Sequence, residues 1–248
     1  MSTKARVENE PSFILHSYPY RETSLIVEVF SRSHGRVAMV ARGAKRPKSA
    51  VRGLLLAFQP LWLSWFGKTE LRTLHRAEWQ AAQPQMAGTP LLCGFYLNEL
   101  LLRLSQREDP HEALFDFYDE TLRALRQAGN EGSPALAPIL RRFELRLLQE
   151  LGYAVQLEVD AETGAPIEPD RVYQFVLERG LVAGQGAAAR APNGLELAGR
   201  ALLNMARGEF SDPLTAAQSK QLTRLLMQHY LGGQPLYTRQ LMKELQQL

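Results

Sequence analysis

GRVAMVARGAKRPKSAVRG, residues Gly35–Gly53, falls into two halves. In the first, Val37, Met39 and Ala41 alternate with Arg36, Ala38, Val40 and Arg42, the period-2 pattern of a strand. Gly43 ends the run. Lys45, Arg46, Lys48 and Arg52 then crowd around Pro47, a composition too polar and too broken for a core element. No acidic residue occurs between Glu28 and Glu70, so nothing near in sequence neutralises this charge. A basic loop leaving a strand suits a polyanion partner; the competing reading is a solvated loop of scattered positive charge.

Working outward to the N-terminus, Phe13–Tyr20 and Ser24–Phe30 are β-like, with Pro19–Thr23 as the turn between them and Ser31–Gly35 (SRSHG) as the next turn. Residues 1–11 are polar, carry mixed charge and are expected to be mobile. Towards the C-terminus, Leu54–Phe66 is apolar and aromatic, with Pro60 marking a bend or edge. Gly67–Thr69 reads as a hairpin turn into a strand over Glu70–Trp79. Five short strands in the first 80 residues predict a small closed barrel, of which the OB-fold is the five-stranded version.

The pattern changes period after Ala81–Pro90, a linker by composition. Leu91–Leu104 is apolar almost all round and predicts a buried central helix. Asp109-Pro110 opens a second helix, whose stripe is Leu114, Phe117, Tyr118, Thr121, Leu122 and Leu125. Pro134–Leu151 is a third, stopped by Gly152. Helices are also expected over Gly194–Arg207, Leu214–Leu231 and Thr238–Leu248, whereas 153–192 resists assignment. The expected class is therefore α+β: an OB-fold domain over 1–80, a linker over 81–90 and a mainly helical domain over 91–248.

Residues 1–80 hold 13 Lys/Arg against 6 Asp/Glu; the remainder holds 16 against 20. That asymmetry places a polyanion partner at the N-terminal end. Cys93 is the single cysteine, which rules out an intramolecular disulfide and fits a reducing, cytoplasmic setting. Residues 1–13 contain no apolar stretch of the leader type and no run approaches membrane length, so a soluble protein is expected.

Enzyme motifs fail on inspection. Phe66–Thr69 (FGKT) resembles the end of a phosphate-binding loop, but Trp62 stands where that motif needs glycine, and a strand follows where it needs a helix. His16, His34, His75, His111 and His229 share no helical spacing, and one cysteine cannot build a structural zinc site, so no metal is expected. Asp116, Asp119 and Glu120 fit the solvated face opposite an apolar stripe. Binding has better support. Arg36, Arg42, Lys45, Arg46, Lys48 and Arg52 can follow a phosphate backbone, while Tyr18, Tyr20, Phe58, Trp62, Trp65 and Trp79 are stacking faces or barrel core. Arg141 and Arg142, beside Leu140, Phe143 and Leu145, suit an acidic, hydrophobic peptide tail or are ordinary helix-surface arginines. These residues do not separate DNA from RNA, so an OB-fold RNA-binding accessory protein stands as an alternative.

Four segments in order resemble the bacterial RecO family of DNA repair and recombination mediators. They are Phe13–Lys45 with its closing A-R-G-A-K, Tyr96–Leu104 (YLNELLLRL), Arg142–Tyr153 (RFELRLLQELGY) and Tyr230–Leu241 (YLGGQPLYTRQL). The resemblance implies an OB-fold on a helical domain without a catalytic site. It implies binding of single- and double-stranded DNA, strand annealing, and action with RecR, and in some pathways RecF, to place RecA on DNA coated by single-strand binding protein (SSB). It also implies binding of the acidic SSB tail. The DNA role then falls on Arg36, Arg42, Lys45 and Arg46, with Lys48 and Arg52 added from charge, and the tail on Arg141 and Arg142. Many members carry a four-cysteine zinc module after L-G-Y. The corresponding Gln156–Gly186 has no cysteine, although Glu162–Gly164 and Arg179-Gly180 keep a similar loop outline, so no cofactor is expected and 156–192 is expected to keep the module's shape without its metal.

Overall fold

A computed structural model describes residues 6–131, 136–183 and 194–245. Five strands form a closed barrel: β1 (Arg6–Tyr20), β2 (Ser24–Ser31), β3 (Gly35–Ala41), β4 (Leu61–Phe66) and β5 (Leu71–Trp79), in the order β1-β2-β3-β5-β4. All pairings are antiparallel except β3–β5, which is parallel. This is the OB-type closure expected from the strand count. The alternation seen in the sequence fills it: Val27, Val29, Val37, Met39, Ala41, Leu61, Leu63 and Trp65 pack inside with Ile14.

The N-terminal expectation needs correction. Of residues 1–11, those from Arg6 onward are strand, because β1 is long enough to pair with two neighbours. Its first half lies against β4, from Arg6 opposite Phe66 to Ser12 opposite Leu61, and its second half lies against β2. A bulge at Asn9, in the left-handed region at φ 49°, hands its backbone N–H to Ser64 Oγ at 3.1 Å. The stretch VENEP looks mobile because its partner is more than 50 residues away. Leu54–Pro60 is likewise not strand; Leu55 instead packs into the barrel core.

Helices α1 (Gly88–Leu104) and α2 (Glu112–Glu131) belong to the same compact unit as the barrel, residues 1–132 with 236–248. The cause is the apolar outer side of β1 just ahead of a second bulge, which lies between Ile14 and His16. Phe13, opposite Phe30, and Leu15 lie on that outer side, where both are buried. Phe13 meets Phe115 at 5.4 Å and Tyr118 at 5.2 Å, and Phe30 meets Phe115 at 5.5 Å. Asn98 of α1 donates to Leu15 O at 2.8 Å and accepts from the Tyr118 hydroxyl at 2.5 Å, so the buried polar atoms are matched. The division of compact units therefore differs from a break at 81–90: an apolar outer strand face has to be covered by the first two helices. α6 (Tyr237–Leu245) completes the unit, its first turn capped by Glu99, which accepts from Tyr237 N, Thr238 N and Thr238 Oγ1 at 2.7–2.9 Å.

The second compact unit, residues 133–235, holds α3 (Leu136–Glu150), a three-stranded sheet of β6 (Val172–Val176), β7 (Gly180–Ala183) and β8 (Leu195–Ala198), then α4 (Gly199–Ala206) and α5 (Pro213–Tyr230). The helix expected over Gly194–Arg207 is thus a strand followed by a shorter helix. The chain must turn at Gly199, where any Cβ would lie 1.9 Å from Glu168 O. The expected third-helix start at Pro134 and part of the 156–192 insertion lie outside the described residues.

Candidate nucleic-acid interface

The loop between β3 and β4 is built in two layers. Gly43 takes the left-handed conformation at φ 67° and turns the chain off β3. Lys45 N then donates to Thr23 O at 2.9 Å, tying the loop to the β1–β2 turn. Successive turns carry it onward: Arg46 N to Gly43 O, Ser49 N to Arg46 O, Arg52 N to Ser49 O and Leu54 N to Val51 O, all between 3.0 and 3.2 Å. Its far end is held where the Trp79 indole donates to Leu54 O at 3.3 Å. Ala44, Val51, Leu54 and Leu55 face the barrel core. Arg42, Lys45, Arg46, Lys48 and Arg52 are all exposed, and no ion pair or side-chain hydrogen bond engages any of these five among the described residues.

Beside the loop is an open groove of about 720 Å³, lined by Tyr20, Arg21, Glu22, Ser24, Arg42 and Arg46 among others. Three arginines and one glutamate therefore line the same groove. Arg21 sits at the tip of the β1–β2 turn in the left-handed region, φ 51°, with its guanidinium 5.1 Å from the Tyr20 ring centre. Sequence reasoning read PYRET as a turn and passed over Arg21. The available signal was its place in the first loop of an OB barrel, a loop that such folds use for ligands.

Arg36 does not join this group. Its side chain is only 16% exposed and lies 3.7 Å from Glu28, which also takes Arg107 at 2.5 Å. Burial lowers the Arg36 pKa, against the opposing pull of Glu28. The reason is strand parity: Arg36 pairs opposite Phe30 on the outer face and reaches its neighbour Glu28, two residues along β2. Among the aromatics, Phe58 and Trp65 are core, whereas Tyr18, Trp62 and Trp79 are exposed.

The carboxylates of α2 are partly engaged. Arg32 binds Asp116 through two hydrogen bonds of 3.0 Å and pairs with Glu112 at 2.6 Å, and its hydrogen bond holds the Asp116 carboxyl below the ordinary range. Asp119 pairs with Arg123. No helix among the described residues is long and apolar enough to cross a membrane.

In the second unit Arg141 and Arg142 part company. Arg141 pairs with the buried Glu144 at 2.6 Å and donates to Thr223 Oγ1 at 2.5 Å, so its charge is used internally. Arg142 stays exposed and donates to Gly208 O at 2.8 Å. Within the cysteine-free insertion, the buried Asp160 carboxylate accepts from the backbone N–H groups of Glu162, Thr163 and Ala183 at 2.8–2.9 Å. Burial, the largest influence, pushes the Asp160 carboxyl up, but these hydrogen bonds outweigh it and the net shift is downward. Arg179 closes the loop on Glu162. The lone thiol, Cys93, is buried in α1, which pushes its pKa up to about 11. A four-thiolate zinc site does not fit these residues, because a single carboxylate, saturated by backbone donors, organises the turn.

Comparison with known proteins agrees with this architecture. The family models described as Recombination protein O N terminal and Recombination protein O C terminal match residues 6–82 and 87–240. The chain belongs to the RecO family of DNA repair proteins. It is 57% identical to the DNA repair protein RecO of Nitrosospira multiformis over 99% of this chain and 98% of that protein. It is 52% identical to the RecO of Aromatoleum aromaticum and 50% identical to that of an Azoarcus species, each over the full length of both chains. The two family models meet near residue 85, at the change in composition, while the compact units divide elsewhere.

Proposed function

We propose that this chain is a non-enzymatic recombination mediator: it binds single- and double-stranded DNA, anneals complementary strands and helps load RecA onto SSB-coated single strands. The observation that carries the reading is the set of five exposed cations on the β3–β4 loop, without ion-pair partners among the described residues and continuous with the arginine groove of the barrel, in a chain of a DNA repair family. Such a surface neutralises phosphates and releases their counterions. The reading extends to RecR and, in some pathways, RecF as partners, to RecA indirectly, to a cytoplasmic setting and to activity without a zinc ion. Arg142, the exposed member of the Arg141–Arg142 pair, is the better candidate for the acidic SSB tail, since Arg141 already has a carboxylate.

The test is annealing of complementary oligonucleotides coated with the cognate SSB, comparing the wild type with a folded Arg42/Lys45/Arg46/Lys48→Ala variant. Annealing by the wild type and loss in the variant is the expected result. A folded wild type that does not anneal overturns the reading. The same preparation, assayed for zinc by elemental analysis, is expected to contain less than a stoichiometric amount.

A further inference from the structure

The arginine groove does not end at Tyr20. Beyond its second bulge, β1 turns His16, Tyr18 and Tyr20 to one side, opposite Glu28, Ile26 and Ser24 of β2. That side is the outer wall of the barrel. His16 is exposed and Tyr18 is 46% exposed, although the chain has a large core that could have taken the tyrosine ring. The rings of His16 and Tyr18 pack edge to face at 4.4 Å, and Tyr20 is fixed by its contact with Arg21. Three ring side chains on one solvent-facing strand edge thus lead away from three guanidinium groups. At the far end of the row the Glu28 carboxylate does not oppose a polyanion, because Arg107 and Arg36 leave that cluster with one net positive charge.

Building on the DNA-binding reading above, we infer that the outer face of β1 is a base-stacking track, on which Tyr18 and His16 take unpaired bases of a single strand whose phosphates are held by Arg21, Arg42 and Arg46. Because His16 and Tyr18 already touch, a base lies against the outward face of the Tyr18 ring and does not enter between the two rings. Stacking of this kind is indifferent to sequence, since every base has a π-face, and a duplex offers no unpaired base to it. The rings therefore favour single strands over duplexes, while the arginines alone bind both.

The test compares two fluorescent oligonucleotides of equal length and charge, one carrying bases and one fully abasic, by anisotropy with the full chain. The wild type is expected to bind the base-bearing strand about tenfold more tightly than the abasic one, the worth of stacking roughly one base. A His16→Ala/Tyr18→Ala variant, and more mildly Tyr18→Ala alone, is expected to lose that preference and keep its salt dependence, whereas Tyr18→Phe keeps both. A wild type without base preference, or a preference unchanged in the folded variants, overturns the stacking track but leaves the arginine groove standing. If the wild type binds neither strand, the DNA-binding reading falls and this inference with it.

Discussion

The cations of the β3–β4 loop and those at Arg36 and Arg141 are the same side chains in opposite situations. Arg42, Lys45, Arg46, Lys48 and Arg52 stand in solvent, and none is engaged in an ion pair among the described residues. Arg36 and Arg141 are largely buried and spend their charge on Glu28 and Glu144. A free cation adds little to stability but is available to a phosphate, whereas a buried partnered one holds the fold and is lost to a ligand. A count of basic residues cannot distinguish the two, but substitution can.

The largest separation is expected from the loop. Arg42/Lys45/Arg46/Lys48→Ala should weaken single-strand binding about 10³-fold and reduce the slope of log K against log salt by about 3, with each site changing stability by less than about 0.5 kcal/mol. A salt titration beside a thermal melt reads both quantities, and an unchanged slope would remove the loop from the interface. Arg141→Ala should do the reverse. It removes the ion pair from the Glu144 carboxylate, which is only 1% exposed, and should cost about 3 kcal/mol in denaturant unfolding while leaving the salt slope alone.

Asp160 sharpens the contrast with a negative charge. Asp160→Asn leaves at least one backbone N–H poorly matched and should cost about 1–3 kcal/mol, seen as faster amide exchange at Ala183 and Thr163. The wild-type carboxyl is held below its unfolded value. Its stabilisation is therefore complete above about pH 4 and is lost as pH falls through the lower folded pKa; the Asn variant should lack this acid-side loss. The smallest effect belongs to Arg36→Gln, which should alter the salt slope by less than about 0.3, because a guanidinium already shared with Glu28 contributes little to counterion release. A full unit of slope lost there would show that the pair opens to DNA.

The legible parts of the fold are those whose signal is local. Val27 and Val29, then Val37, Met39 and Ala41, alternate strictly, and each set occupies the barrel interior as its spacing predicts. The stripe from Leu114 to Leu125 marks α2, and the basic loop is evident because its run of charge lacks any acidic neighbour. Arg6–Pro11 and Leu195–Ala198 were not legible, since their strand character comes from β4 and β6, partners distant in sequence. Arg21 was hidden for a related reason: one arginine in a turn gains meaning only when Arg42 and Arg46 lie beside it.

The sequence by itself determined a five-stranded barrel followed by helices, a basic loop after the third strand, an insertion without cysteine ligands and membership of a family. Each of these is written in periodicity, composition or ordered motifs that survive without coordinates. Only the tertiary structure decided which arginines are free, that α1 and α2 cover the barrel's outer face, and that Tyr18 and His16 look outward beside the arginine groove. Pairing and burial depend on strand register, and one bulged residue at Ile14–His16 is enough to exchange the two faces of a strand.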